Sequence, residues 1–150
     1  VITQSFSKSR SLAGIRLGFA VANEELIEAL NRIKNSFNSY PIDRLAQEAG
    51  IRSIKDENHF NITRMKIIQA RKFLEDELLL INFEVLPSGA NFIFIKHKSK
   101  DAIDIFKNLR KSGVLVRHFD QPERISQYLR VTIGTMSQMQ TLISILKAIL

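Results

Sequence analysis

The strongest constraint on the fold is a change of apolar period along residues 59–150. Ile67, Ala70, Leu74, Leu78 and Ile81 share one stripe at helical spacing, which predicts a helix over 59–81 with a single buried face. From Asn82 the period shortens, and "FEVLPSGANFIFIKH" reads as strand, turn, strand. A helix over 101–112 is expected next, with Ile103, Phe106 and Leu109 inward and Gly113 as its stop. "VLVRHF" and "QYLRVTIGT" then read as short strands. Thr135 followed by Gln138 is a capping box opening a last helix, with Met136, Met139, Leu142, Ile143, Leu146 and Ile149 on one side. Such a series folds as a compact α+β unit.

The upstream residues are organised differently. Residues 1–6 read as the end of a strand and Ile15–Val21 as a second, buried strand. Asn23 is a candidate N-cap, with Glu24 and Glu25 in the first turn and Leu26, Ile27, Leu30, Ile33 and Phe37 at helical spacing. Pro41 ends that helix, because the residue before a proline is pushed out of helical geometry. Another helix is expected over 42–55. Two strands and one helix cannot cover both faces of a sheet, yet "GIRLGFAVA" is apolar enough to want neighbours on both. The expectation is therefore the C-terminal part of a longer protein.

Composition narrows the function classes. An apolar fraction of 45% with 25% charged residues suits a folded soluble chain, and no apolar window approaches membrane-spanning length. The absence of cysteine removes disulfides, thiolate catalysis and Cys-based metal sites, and with no secretory pattern it suits a cytoplasmic location. His59, His97 and His118 lack ligand spacing, so no metal is expected. A net charge of +7 suits either nucleic acid or small anionic ligands. The basic residues are dispersed and not interleaved with aromatics, which favours small anions and leaves a basic nucleic-acid-binding module as the alternative.

The chemistry-bearing stretch is "QSFSKSRSLAGIRLGFA", Gln4 to Ala20. Lys8 lies at the edge of an apolar segment with Arg10 and Arg16 near it in sequence, and both desolvation and neighbouring cations favour a neutral, nucleophilic amine. The hydroxyls of Ser5 and Ser7, turn N–H groups and Arg16 on its strand could together hold a phosphate. Gly14 and Gly18 would allow close backbone approach. A phosphate cup beside an amine is what pyridoxal phosphate requires. Ser5 and Lys8 also spell S-x-x-K, but the S-D-N and K-T-G partners of that nucleophile motif are absent.

"SFSKSRSLAGIRLG" resembles the cofactor-lysine motif of fold-type I pyridoxal-phosphate aminotransferases, and "FSKSRSLAG" is especially similar to the histidinol-phosphate aminotransferase family. The resemblance implies an α/β protein: the end of a large cofactor-binding domain with its connecting helix over 1–41, then a small α+β domain over 42–150. It implies that Lys8 anchors the cofactor and carries the proton at the substrate carbon, while Ser5, Ser7 and Arg16 bind the cofactor phosphate. "LRVTIGT" is similar to the segment whose arginine grips the substrate carboxylate, which assigns Arg130. The preceding "VR" assigns Arg117 to substrate carboxylate or phosphate. Tyr40 in "NSFNSYPIDRLAQ" and Asn91 in "SGANFIFI" are further substrate-side candidates by the same resemblance.

The activity implied is amino transfer between histidinol phosphate/imidazole acetol phosphate and glutamate/2-oxoglutarate, in histidine biosynthesis, by a homodimer. Residues of such sites upstream of the lysine strand are not in this chain, so the chain alone should be inactive. A related aminotransferase or a threonine-phosphate decarboxylase remains open, since a few pocket residues separate them.

Overall fold

The computed structural model describes residues Val1–Leu150. They form two compact units, Val1–Ile62 and Thr63–Leu150. In the first unit, β1 (Ile2–Ser5) pairs antiparallel with β2 (Gly18–Val21), with Ser5 opposite Gly18. Helices α1 (Glu24–Phe37) and α2 (Arg44–Lys55) follow, and α3 (Glu57–Leu80) begins in this unit and continues into the second. Asn23 caps α1 by accepting from the Leu26 N–H at 3.1 Å, and Asp43 caps α2 by accepting from Ala46 at 2.9 Å.

Pairing in this unit agrees with the sequence expectation. The second strand is shorter than Ile15–Val21: Ala13–Ile15 form a 3₁₀ turn and only Gly18–Val21 pair. Far from buried, Phe19 and Val21 are 47% and 55% exposed, and α1 buries none of its residues. A two-stranded ribbon has neither a third strand nor a second layer to cover its faces, so apolar content alone leaves it exposed. The compact units divide after Ile62. The reason is local: α2 belongs with the hairpin, its buried Gly50 lying where a side chain would run into Leu17.

The second unit is a four-stranded antiparallel sheet with helices packed on it. Strands β3 (Phe83–Val85), β4 (Phe92–His97), β5 (Arg117–His118) and β6 (Leu129–Thr132) lie in the order β3-β4-β6-β5. Helices α4 (Ala102–Lys111) and α5 (Met136–Ile149) complete it. One core joins Ala70, Leu74 and Leu78 of α3, Ile93 and Ile95 of β4, Leu129 and Val131 of β6, and the inward faces of α4 and α5. Thr135 and Gln138 make the expected capping box, each side chain bonded to the other's backbone N–H. Two inward assignments change: in α4 Ile105 is buried while Ile103 is only half-buried, and in α5 Met136 is 39% exposed. The strand expected over 114–119 shrinks to two residues because the Val114 N–H bonds Leu109 O at 2.9 Å, closing α4 around left-handed Gly113 (φ 80°).

His97 shows how tightly this unit closes. Its ring stacks edge-on to Phe83 at 5.0 Å, and Nδ1 accepts from the N–H groups of Ser99 (3.2 Å) and Lys100 (3.0 Å). Burial, followed by the nearby Lys100 charge, lowers its pKa below the usual histidine value. The unfolded chain therefore takes up the proton first as pH falls, so this stabilisation is complete above about pH 6.5 and declines below it. Urea midpoints should drop from about pH 7.5 to about pH 5.5, and His97→Gln should flatten that dependence. Leu74→Ala, at a fully buried position, should cost about 2–5 kcal/mol in the same titrations.

Candidate functional site

The hairpin loop carries the first group of candidates. It is closed at its base by Phe6 N–H to Leu17 O at 3.1 Å, and inside by Leu12 N–H to Phe6 O and Ser11 N–H to Lys8 O, both 3.0 Å. Lys8 thus stands exposed at a tight turn between β1 and β2. Ser5 Oγ accepts the Ser7 N–H at 3.1 Å, leaving the Ser5 O–H free to donate. Arg16 is not on a strand as the sequence suggested. It follows the 3₁₀ turn at Ala13–Ile15 with φ 58°, and its Nη1 donates to Ala13 O at 2.8 Å.

Two non-glycine residues of this loop, Ser11 (φ 57°) and Arg16, hold left-handed backbone. Each such residue costs roughly 1 kcal/mol, so the loop is shaped against local preference. Gly18 has a steric role, because a Cβ there would lie 2.9 Å from Gln4 O across the hairpin. Gly14 does not, since a Cβ there would meet nothing within 4 Å.

From Gln4 to Gly18 the chain holds Lys8, Arg10 and Arg16 and no carboxylate. An amine, two hydroxyls and a guanidinium with N–H groups to spare therefore share one loop. That donor set fits a phosphate-bearing aldehyde.

Arg10, read from the sequence only as a nearby charge, has a different task. Its Nη1 donates to Ser53 O at 2.6 Å near the end of α2, and its guanidinium lies 3.9 Å from the Phe60 ring centre. With Ser5, Ser9 and Phe60 it lines a cleft of about 230 Å³. Arg10 therefore ties the lysine loop to the helices of its own unit. Nothing in the local pattern signals a bond spanning 43 residues. Tyr40, in the same unit, is 83% exposed in the irregular segment between α1 and α2.

The second group lies on the sheet face turned away from the core of the second unit. Leu129 and Val131 point inward and Arg130 outward, as alternation along β6 requires. Arg117 of β5 is its direct cross-strand partner. No carboxylate lies within ion-pair distance of either arginine, and neither donates a hydrogen bond. The nearest strand acid on this sheet, Glu84, accepts instead from Tyr128 OH at 2.8 Å, and that bond raises the tyrosine pKa.

Aromatic rings flank the arginines: the Arg130 guanidinium is 5.3 Å from Phe92 and 5.6 Å from Phe119, and that of Arg117 is 5.4 Å from Phe119. Asn91 immediately precedes β4, where its carbonyl accepts from Ile133 N–H at 2.9 Å. Ser88 makes the turn bonds and leaves the Asn91 amide uncommitted. Ser5 thus ends β1, Ser7, Lys8 and Arg16 lie in the loop that follows it, and Arg117 and Arg130 are cross-strand neighbours on one sheet face.

Residues 1–146 match the sequence family described as aminotransferase class I and II. The chain is 52% identical over all 150 residues to a histidinol-phosphate aminotransferase of Aromatoleum aromaticum, covering 42% of that protein. It is 53% identical over 143 residues to the enzyme of the same name from Pseudomonas syringae, covering 41% of it. The fold matches that of the histidinol-phosphate aminotransferase from Clostridium acetobutylicum with a TM-score of 0.87 at 24% identity, over 98% of this chain and 44% of that one. The chain spans about two-fifths of the length of the curated relatives it matches.

Replacing Arg10 by Ala should loosen the lysine loop. Loss of one charged hydrogen bond and one ring contact, about 1–2 kcal/mol, should raise amide hydrogen exchange at Ser7–Leu12 on the order of tenfold. Exchange in β4 and β6 should stay unchanged.

Proposed function

The chain belongs to the aminotransferase class I and II family, and on that premise we propose that the whole protein is a histidinol-phosphate aminotransferase using pyridoxal phosphate. It would move an amino group between histidinol phosphate/imidazole acetol phosphate and glutamate/2-oxoglutarate. The observation carrying this reading is the 52% identity to a histidinol-phosphate aminotransferase along all 150 residues, the lysine loop included. The loop's chemistry supports it, since Ser5, Ser7, Lys8 and Arg16 lie within one short stretch that holds no acid. Residues 1–41 would be the end of the large cofactor-binding domain and 42–150 the small domain. We place the protein in the cytoplasm as a homodimer. No helix of the chain is long and apolar enough to cross a membrane.

The residues divide the work in this reading. Bound pyridoxal phosphate supplies the electron sink for bond breaking at the nitrogen-bearing carbon. Lys8 would anchor it, and its amine would take and return the proton at the substrate Cα. Ser5 and Ser7 hydroxyls and the Arg16 guanidinium hold the phosphate end and orient it. Arg130 binds the glutamate carboxylate through a bidentate fork, and Arg117 binds substrate phosphate or carboxylate. Tyr40 and Asn91 contribute polar contacts on the substrate side.

The full-length protein incubated with cofactor and then borohydride should carry the label on Lys8. Lys8→Ala should abolish labelling and lower transamination by at least about 10³-fold. Arg130→Ala should raise KM for glutamate on the order of a hundredfold. Labelling elsewhere, or a preference for a substrate other than histidinol phosphate in a panel, would overturn the assignment.

A further inference from the structure

The two arginines face each other directly across the β5–β6 pair, Arg117 opposite Arg130. Opposed like charges destabilise a strand pair, and here no carboxylate relieves them. Aromatic faces occupy that place. Phe119 alone touches both guanidiniums, at 5.4 Å from Arg117 and 5.6 Å from Arg130, and Phe92 adds a second ring to Arg130 at 5.3 Å. Phe119 is itself fixed, stacked on Phe94 at 6.0 Å and 26°. Phe94 in turn meets Phe92 and Tyr128 edge-on at 6.0 Å and 6.5 Å.

A ring face attracts a guanidinium through its quadrupole without neutralising the charge or consuming an N–H donor. A carboxylate in the same place would do both. The pair is therefore held in position with its full hydrogen-bonding edge available.

We propose that Phe119 is a positioning residue that holds Arg117 and Arg130 together as a preformed receptor for the anionic groups of the substrate. This rests on the reading of those arginines as substrate-binding. The ring touches no reacting atom, and it acts through the two guanidiniums.

The test uses the full-length protein with its cofactor. F119L keeps an apolar side chain and removes the ring, and it should raise both KM for histidinol phosphate and the inhibition constant of inorganic phosphate about three- to tenfold, with kcat changed less than about twofold. F119Y, which retains a π face, should restore both, and F92L, which spares the Arg117 contact, should give a smaller rise. Unchanged phosphate inhibition in F119L, or equal impairment in F119L and F119Y, overturns the proposal. If F119L does not fold, F92L decides through its Arg130 contact, and a wild-type KM for glutamate in it counts against the proposal. R130A is measured alongside, with KM for glutamate as its readout. An unaffected R130A removes the substrate-binding reading and the proposal with it, whereas an impaired R130A beside a wild-type F119L removes the proposal alone.

Discussion

Pleating along β6 governs the second unit. Leu129 and Val131 enter the core at 1% and 2% exposure, and Arg130 between them is turned to the opposite face. A slip of one residue would reverse every side chain, drawing a guanidinium into an apolar core and expelling two aliphatic residues. Register is thus locked by burial, and every neighbour inherits it. Ile93 and Ile95 of β4 pair with Val131 and Leu129 on the core side, while Phe94 pairs with Arg130. On the other flank Arg117 is set against Arg130. The same alternation that builds the core therefore assembles the face of cations and rings.

The first unit depends on a different economy. Its hairpin buries little besides Phe6, and α1 keeps Leu30, Ile33 and Phe37 exposed. What shapes the lysine loop is hydrogen bonding and backbone geometry. The Phe6–Leu17 bond closes it, Gly18 permits the close approach to Gln4, and two left-handed residues turn it. A single long side chain, Arg10, couples this loop to α2 and Phe60. The cations of the loop diverge in role as a result. Arg10 is spent on structure, Lys8 stands exposed, and Arg16 keeps N–H groups beyond its bond to Ala13 O.

Local signals were legible wherever a few neighbouring residues decide the outcome. The caps at Asn23 and Thr135, the stop at Gly113 and the stripe Ala70–Leu74–Leu78 all stand as read. So does the outward turn of Arg130, since strand period needs only the sequence of one strand. Phe19 and Val21 stay exposed among these residues, since burial requires a partner layer and a strand's own residues do not specify one. Arg16 seemed to lie on a strand because apolar neighbours surround it, and the turn at Ala13–Ile15 that displaces it has no strong sequence marker.

The sequence by itself determined the principal helices and strands, their caps, the alternation of β6 and the closeness of Ser5, Ser7, Lys8 and Arg16 along the chain. These depend on contacts between residues close along the chain, where spacing is geometry. Only the tertiary structure decided that Arg117 meets Arg130 across a strand pair, that Phe92 and Phe119 stand where acids might have been, and that Arg10 reaches Ser53. Those pairings join residues far apart along the chain, and strand register and helix packing bring them together where no local pattern can.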